Sequence, residues 1–131
     1  MNRFLLIGLL FICNSLVAND TTKTTGTKPK ILYGTASFYS NSFNGKKTAS
    51  GELFSQQKMT AACNVLPLGT WIRVTNLRNG RSVLVKINDR LHARMTRVVD
   101  LSRTAAEKLS YIKSGLTRVK VEVIGRKKPE K

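Results

Sequence analysis

Three runs of alternating β-branched residues limit what this chain can fold into more than any other feature. In 117–124 (TRVKVEVI), Val119, Val121 and Val123 fall on one face and Arg118, Lys120 and Glu122 on the other. That is the period-two pattern of a half-buried strand. In 70–76 Ile72 and Val74 share a face, and in 81–88 Val83, Val85 and Ile87 do. Asn79-Gly80 lies between these two runs. Both residues tolerate positive φ, so a hairpin is predicted there. The run 31–39 alternates loosely, with aromatic and small residues. Met59-Thr60-Ala61-Ala62 can enter a further strand, and Val98-Val99 is a short apolar run ending in Asp100-Leu101-Ser102. Residues 41–50 (NSFNGKKTAS) read as a turn-rich loop. One helix is predicted over 103–111. Ser102 is its N-cap, because a hydroxyl can accept from a free first-turn amide. Ala105, Ala106, Leu109 and Ile112 give it an apolar stripe, and Gly115 closes the region. One helix among five or six short strands points to a small closed barrel, which leaves no exposed edge.

The length of 131 residues suits a single domain. Residues 1–18 have a basic start at Arg3, an apolar run over 4–12 and a close at Leu16-Val17-Ala18, the layout of a secretory signal. Export to the periplasm or cell envelope is therefore expected. A lipid anchor at Cys13 is disfavoured, because Leu10-Phe11-Ile12 lacks the small residue that normally precedes a lipidated cysteine. Residues 19–30 (NDTTKTTGTKPK) read as a flexible linker, 31–125 as the domain and 126–131 as a basic tail. Cleavage leaves Cys63 as the one cysteine, so no internal disulfide is expected. One histidine and one cysteine fall short of a metal ligand set, and no cofactor is expected.

Charge narrows the partner. There are 23 basic and 7 acidic residues, a formal net of +16. Such a balance implies an anionic partner or surface. No nucleic-acid recognition motif is present, and an export signal argues against that partner. The other distinctive stretch is 81–102, where Asp89 and Asp100 each sit at the end of an apolar strand in a chain with few carboxylates.

Several short motifs occur in order across 33–124: Gly34-Thr-Ala-Ser-Phe-Tyr39, Gly45-Lys-Lys-Thr-Ala-Ser-Gly-Glu52, Thr60-Ala-Ala62, Leu66-Pro-Leu-Gly-Thr70, Val74-Thr-Asn-Leu77, Asn79-Gly80, Asn88-Asp-Arg90 and Val99-Asp-Leu-Ser102. On these the chain resembles the RlpA (rare lipoprotein A) family of septal-ring lytic transglycosylases. The resemblance implies a mainly β fold, a six-stranded double-psi β-barrel with one or two short helices. It implies action on peptide-free peptidoglycan glycan strands, cell-division or wall-associated protein partners and, for this chain, a monomer. It carries the family's catalytic carboxylates onto Asp89 and Glu52. Two positions depart from the family. Its histidine after Thr-Ala-Ala is Cys63 here, and its Gly-Pro after Asn-Asp-Arg is Leu91-His92.

Glycosidic cleavage needs a proton on the leaving oxygen and negative charge near an oxocarbenium-like centre, and carboxyl groups supply both. Asp89, beside apolar Ile87, is expected to act first as acid and then as base. Glu52 is expected to orient substrate or tune Asp89. Asp100, before a helix start, reads as structural, holding backbone amides or a neighbouring arginine. Arg78, Arg81, Arg90, Arg94 and Arg97 are expected to gather near Asp89, where guanidinium forks suit the lactyl carboxylates of muramic acid. Arg90, Arg97, Tyr39, Cys63 and His92 are the substrate-binding candidates. Tyr39 is favoured over Phe38 for stacking on sugar, since a hydroxyl suits an exposed edge. Cys63 reads otherwise as a buried thiol and His92 as a surface residue. Two further readings stay open: a non-catalytic wall-binding module of the expansin kind, and a basic protein that binds anionic polymers generally.

Overall fold

The computed structural model describes residues 30–130. The expected signal segment, Cys13 and all of the linker except Lys30 lie outside the described residues.

The barrel expected from the alternating runs is the one observed. Its strands are β1 (Ile31–Phe38), β2 (Thr60–Ala62), β3 (Trp71–Asn76), β4 (Ser82–Asp89), β5 (Val99–Leu101) and β6 (Thr117–Gly125). They close in the order β1-β5-β2-β4-β3-β6. The pairs β1/β5 and β2/β4 are parallel and the other four are antiparallel. Ile72, Val74, Val85, Ile87, Val119 and Val121 fill the interior from the faces that their alternation predicts. Val99 and Leu101 join them from β5. Each such side chain contributes about 1.5–3 kcal/mol when fully buried. Val123 is only half-buried, because β6 runs out towards the barrel's rim there.

The short β2 is the strand the alternation shows least, since three residues carry no period. It is nonetheless central, pairing with β4 on one side and β5 on the other. Ala61 and Ala62 are fully buried between those neighbours. The register slips along β2: Ala61 faces Ile87, but Ala62 faces Asp89. Asn88 is the extra residue of a β-bulge, which bends a strand and re-aims its side chains. The alternation of β4 breaks there, with Ile87 and Asn88 both buried and Asp89 partly exposed. A regular strand would have pointed Asp89 inward beside Ile87.

The helix α1 (Arg103–Lys108) starts where expected, with the Ser102 hydroxyl accepting from the Ala105 amide at 3.4 Å. It stops three residues earlier than the 103–111 stripe predicts. Ser110 turns to φ 59°, and the Asn76 and Asn79 side-chain amides donate to the Leu109 carbonyl at 2.8 and 2.9 Å. A helix-end carbonyl needs such a partner. A single 3₁₀ turn (Asn41–Phe43) accounts for the second short helix. In the β3–β4 turn Gly80 takes positive φ (75°). Asn79 does not; its side chain accepts from the Arg81 amide instead.

Candidate active site

Asp89 ends β4 on the wall of a cavity of about 590 Å³. The bulge aims the side chain there, and three donors then hold it. Its Oδ1 accepts from the Ala49 amide and the Arg90 amide, both at 2.9 Å, and its Oδ2 accepts from the Tyr39 hydroxyl at 2.5 Å. A carboxylate has about four acceptor sites, so one on Oδ2 stays free for a ligand. The Ala49 amide belongs to the loop that the sequence shows as turn-rich. That loop folds on itself through a Lys47–Leu53 bridge and is tied to β4 by the Ser50 amide on the Asn88 carbonyl at 3.0 Å.

Tyr39 is buried, its ring 4.0 Å from that of Phe54, in a small cluster with Ala62 and Leu91 beneath the cavity. Burial first, then the bond to Asp89 and the charges of Asp89 and Asp100, hold its hydroxyl above the ordinary tyrosine value of 10.0. The phenol therefore remains a donor to Asp89. This corrects the expectation that Tyr39 offers an exposed edge for sugar stacking. The backbone carbonyl of Tyr39 accepts from the buried Gln56 side chain at 2.7 Å. The Gln56 oxygen in turn accepts from the Arg103 amide at 2.7 Å, so one side chain joins the strand end to the helix start. An isolated glutamine in an aperiodic stretch gave no sign of this.

Asp100 lines the same cavity. Ala62 pairs with Asp89 of β4 on one side and Asp100 of β5 on the other. The two backbones are thus about 10 Å apart at two strand spacings. Arg97 binds Asp100 bidentately, Nε to Oδ1 at 2.9 Å and Nη2 to Oδ2 at 3.1 Å. The structural reading of Asp100, holding a neighbouring arginine, is observed. Its place on the cavity wall is not evident from its position before a helix.

The remaining candidates separate. Arg90 lines the cavity, and its Nη1 donates to the Cys63 and Leu66 carbonyls at 2.6 Å each, which ties it to the 63–66 loop. Cys63 is fully buried in the core, which corrects the expectation that it contacts the substrate and agrees with an enclosed thiol. Glu52 does not line the cavity; its carboxylate lies 3.6 Å from the Lys86 ammonium, both about 40% exposed. His92 is exposed on the cavity rim, its Nδ1 accepting from the Arg94 amide at 3.3 Å. Arg78 and Arg81 belong to the turn before β4, and Arg81 bonds Ser110. Eight strand residues separate that end from Asp89, about 23 Å. Only Arg90, Arg94 and Arg97 of the expected arginine group are on the Asp89 side.

Residues 32–121 match the family described as lytic transglycolase, and the chain belongs to that family. Curated relatives within it include RlpA proteins. An endolytic peptidoglycan transglycosylase RlpA of Pseudomonas aeruginosa (strain UCBPP-PA14) is 52% identical over 93 residues, 71% of this chain and 27% of that one. A probable endolytic peptidoglycan transglycosylase RlpA of Nostoc is 54% identical over 112 residues, 84% of this chain and 30% of that one. The chain thus spans about a third of the length of these relatives. Among solved structures, a Streptomyces papain inhibitor has a TM-score of 0.60 at 19% identity, covering 72% of this chain and 94% of its own. A Clavibacter michiganensis expansin has 0.57 at 20% identity, covering 78% and 53%. These two likenesses concern the fold, the double-psi barrel that the sequence motifs imply.

Proposed function

We propose that this barrel is an endolytic peptidoglycan transglycosylase. It cleaves peptide-free glycan strands internally and leaves 1,6-anhydromuramic acid ends. The observation that carries this is Asp89, turned by the β4 bulge onto the cavity wall, held by three donors and left with one free acceptor site on Oδ2. The family and the activity for which its relatives are named support the reaction class.

In the reaction, the Asp89 carboxylic acid gives its proton to the glycosidic oxygen as the C1–O bond breaks. The Asp89 carboxylate then takes the proton of the muramic acid C6 hydroxyl while that oxygen bonds C1. The proton count closes, no water is consumed, and Asp89 ends protonated for the next cycle. Tyr39 fixes the orientation of the carboxyl throughout. Asp100, its carboxylate held by Arg97, shapes the cavity wall across Ala62 from Asp89. Glu52 assists from outside: with Lys86 it steadies the loop whose Ala49 amide holds Asp89. His92 on the rim and the Arg97 Nη1, which Asp100 leaves free, meet the lactyl carboxylates. The substrate lies outside the cytoplasmic membrane, in keeping with a leader over 1–18 and a periplasmic or envelope location. The protein works as a monomer and meets wall-associated proteins there.

The buried Cys63 at the family's histidine position favours one other reading, a wall-binding barrel without catalysis. Mass spectrometry of peptide-free strands incubated with the protein separates the two. Anhydro-ended fragments support the enzyme; intact strands that still bind the protein support the binding module.

A further inference from the structure

A second groove lies on the outer face of β3 and β4. In this antiparallel pair Trp71 faces Lys86 and Arg73 faces Leu84. Alternation turns these four side chains outward while Ile72, Val74, Val83 and Val85 are buried. Met59, before β2, and Lys108, at the end of α1, border the groove, and Lys128 closes it from the basic tail. The groove measures about 500 Å³. Its floor is apolar and aromatic, and its rim is basic. No carboxylate lines it; Arg73 reaches Glu122 only at 4.0 Å, and neither Lys108 nor Lys128 has an acidic partner among the described residues. The tail is placed there. Arg126 donates to the Leu68 carbonyl at 3.1 Å, and the Lys128 ammonium sits 5.6 Å from the centre of the Trp71 ring.

We infer that this face is a second, non-catalytic binding site for the same class of polymer, a glycan strand that bears carboxylates. The choice of occupant follows from the side chains. A partly exposed indole offers a flat apolar surface to the C–H face of a pyranose ring. Cations around it suit carboxylates placed along the chain, and Arg73 can take one with two parallel bonds. A neutral polysaccharide would leave the basic rim unused, and a sugar-free polyanion would leave the indole unused. None of the residues that line it lines the cavity holding Asp89. It would hold a strand during cleavage and keep a cut strand from diffusing away. The inference rests on the glycan reading above for the identity of the polymer.

Trp71 is the chain's single tryptophan, so its fluorescence reports this groove alone. The full chain carrying Asp89→Asn is titrated with peptide-free glycan strands. A saturable change in emission is expected. Lys108→Gln with Lys128→Gln, which keeps the reporter, should weaken binding about tenfold, as two lost charge contacts at a surface allow. Trp71→Ala should weaken co-sedimentation with the strands by about the same factor, the scale of a lost aromatic stack. Unchanged emission with glycan present overturns the inference. So does an equal change with polyglutamate or duplex DNA at the same charge, which would make the groove a general polyanion site. Strands that stay intact with wild type while emission changes would instead remove the catalytic reading and leave this site standing. Anhydro ends formed without any emission change would do the reverse.

Discussion

The barrel has two clusters of polar side chains at opposite ends of β4, and they are built on different terms. At the β3–β4 turn, Asn76 is fully buried and its amide is used up internally. It donates to the Leu109 carbonyl at 2.8 Å and accepts from the Arg78 amide at 3.0 Å and the Thr117 hydroxyl at 2.8 Å. At the other end Asp89 also gathers donors, but on a cavity wall, with an acceptor site left open. A buried polar group whose partners all come from the protein stabilises one packing. A held polar group that still faces space is placed for a ligand. On the proposed function the turn end serves the fold and the Asp89 end the chemistry, and that contrast can be broken from either side.

The largest expected effect is at the open end. Asp89→Asn should lower the rate of anhydro-end formation by about 10³-fold, within the range for loss of a general acid–base. Its thermal unfolding should stay close to wild type, because the amide can keep accepting through its oxygen. Tyr39→Phe comes next. It removes one of the three donors and should cost about tenfold in rate, the scale of one misplaced catalytic hydrogen bond. A larger effect on kcat than on KM would mark a positioning role.

Asn76→Ala should do the opposite of Asp89→Asn. It leaves the buried Thr117 hydroxyl and the Arg78 amide without their acceptor and the Leu109 carbonyl with Asn79 alone, and should cost about 2–3 kcal/mol in chemical denaturation. Activity per folded molecule should be unchanged. A comparable loss of activity in the folded fraction would erase the distinction between the two ends.

Alkaline titration offers a smaller test. Tyr39 and Tyr111 both hold their protons above the ordinary value of 10.0, chiefly through burial. The unfolded chain releases these protons near pH 10 and the folded chain does not. The stabilisation is therefore full below that pH and is lost progressively above it. Tyr39→Phe should flatten part of that decline in a denaturation series run from pH 8 to 11. The smallest effect is expected from Glu52→Gln. Its pair with Lys86 is well exposed, and such pairs contribute about 0–1 kcal/mol. A rate loss as large as that of Asp89→Asn would show that Glu52 reaches the substrate, against the placement seen here.

Much of the barrel was legible because burial on one face imposes alternation, and β3, β4 and β6 carry it in plain view. The helix start was legible through Ser102. What alternation could not show was β2, whose alanines are selected by crowding between two neighbours. The bulge at Asn88 is invisible for the same reason: it exists only as a register between strands, yet it decides where Asp89 points. The motifs singled out Asp89, but its partners came from far along the chain, Tyr39 and Ala49 among them. The expected arginine cluster failed on geometry. Residues at the two ends of one strand are close in sequence and about 23 Å apart in space.

The proposed activity turns on Asp89 serving chemistry and not the fold. Wild type and Asp89→Asn, matched in folded concentration by circular dichroism, are incubated with peptide-free glycan strands, and 1,6-anhydromuramic acid ends are counted by mass spectrometry. Abundant ends are expected from wild type and about a thousandth of that rate from the folded variant. A folded Asp89→Asn protein that makes such ends within about twofold of wild type would contradict it, since a general acid–base cannot be dispensable.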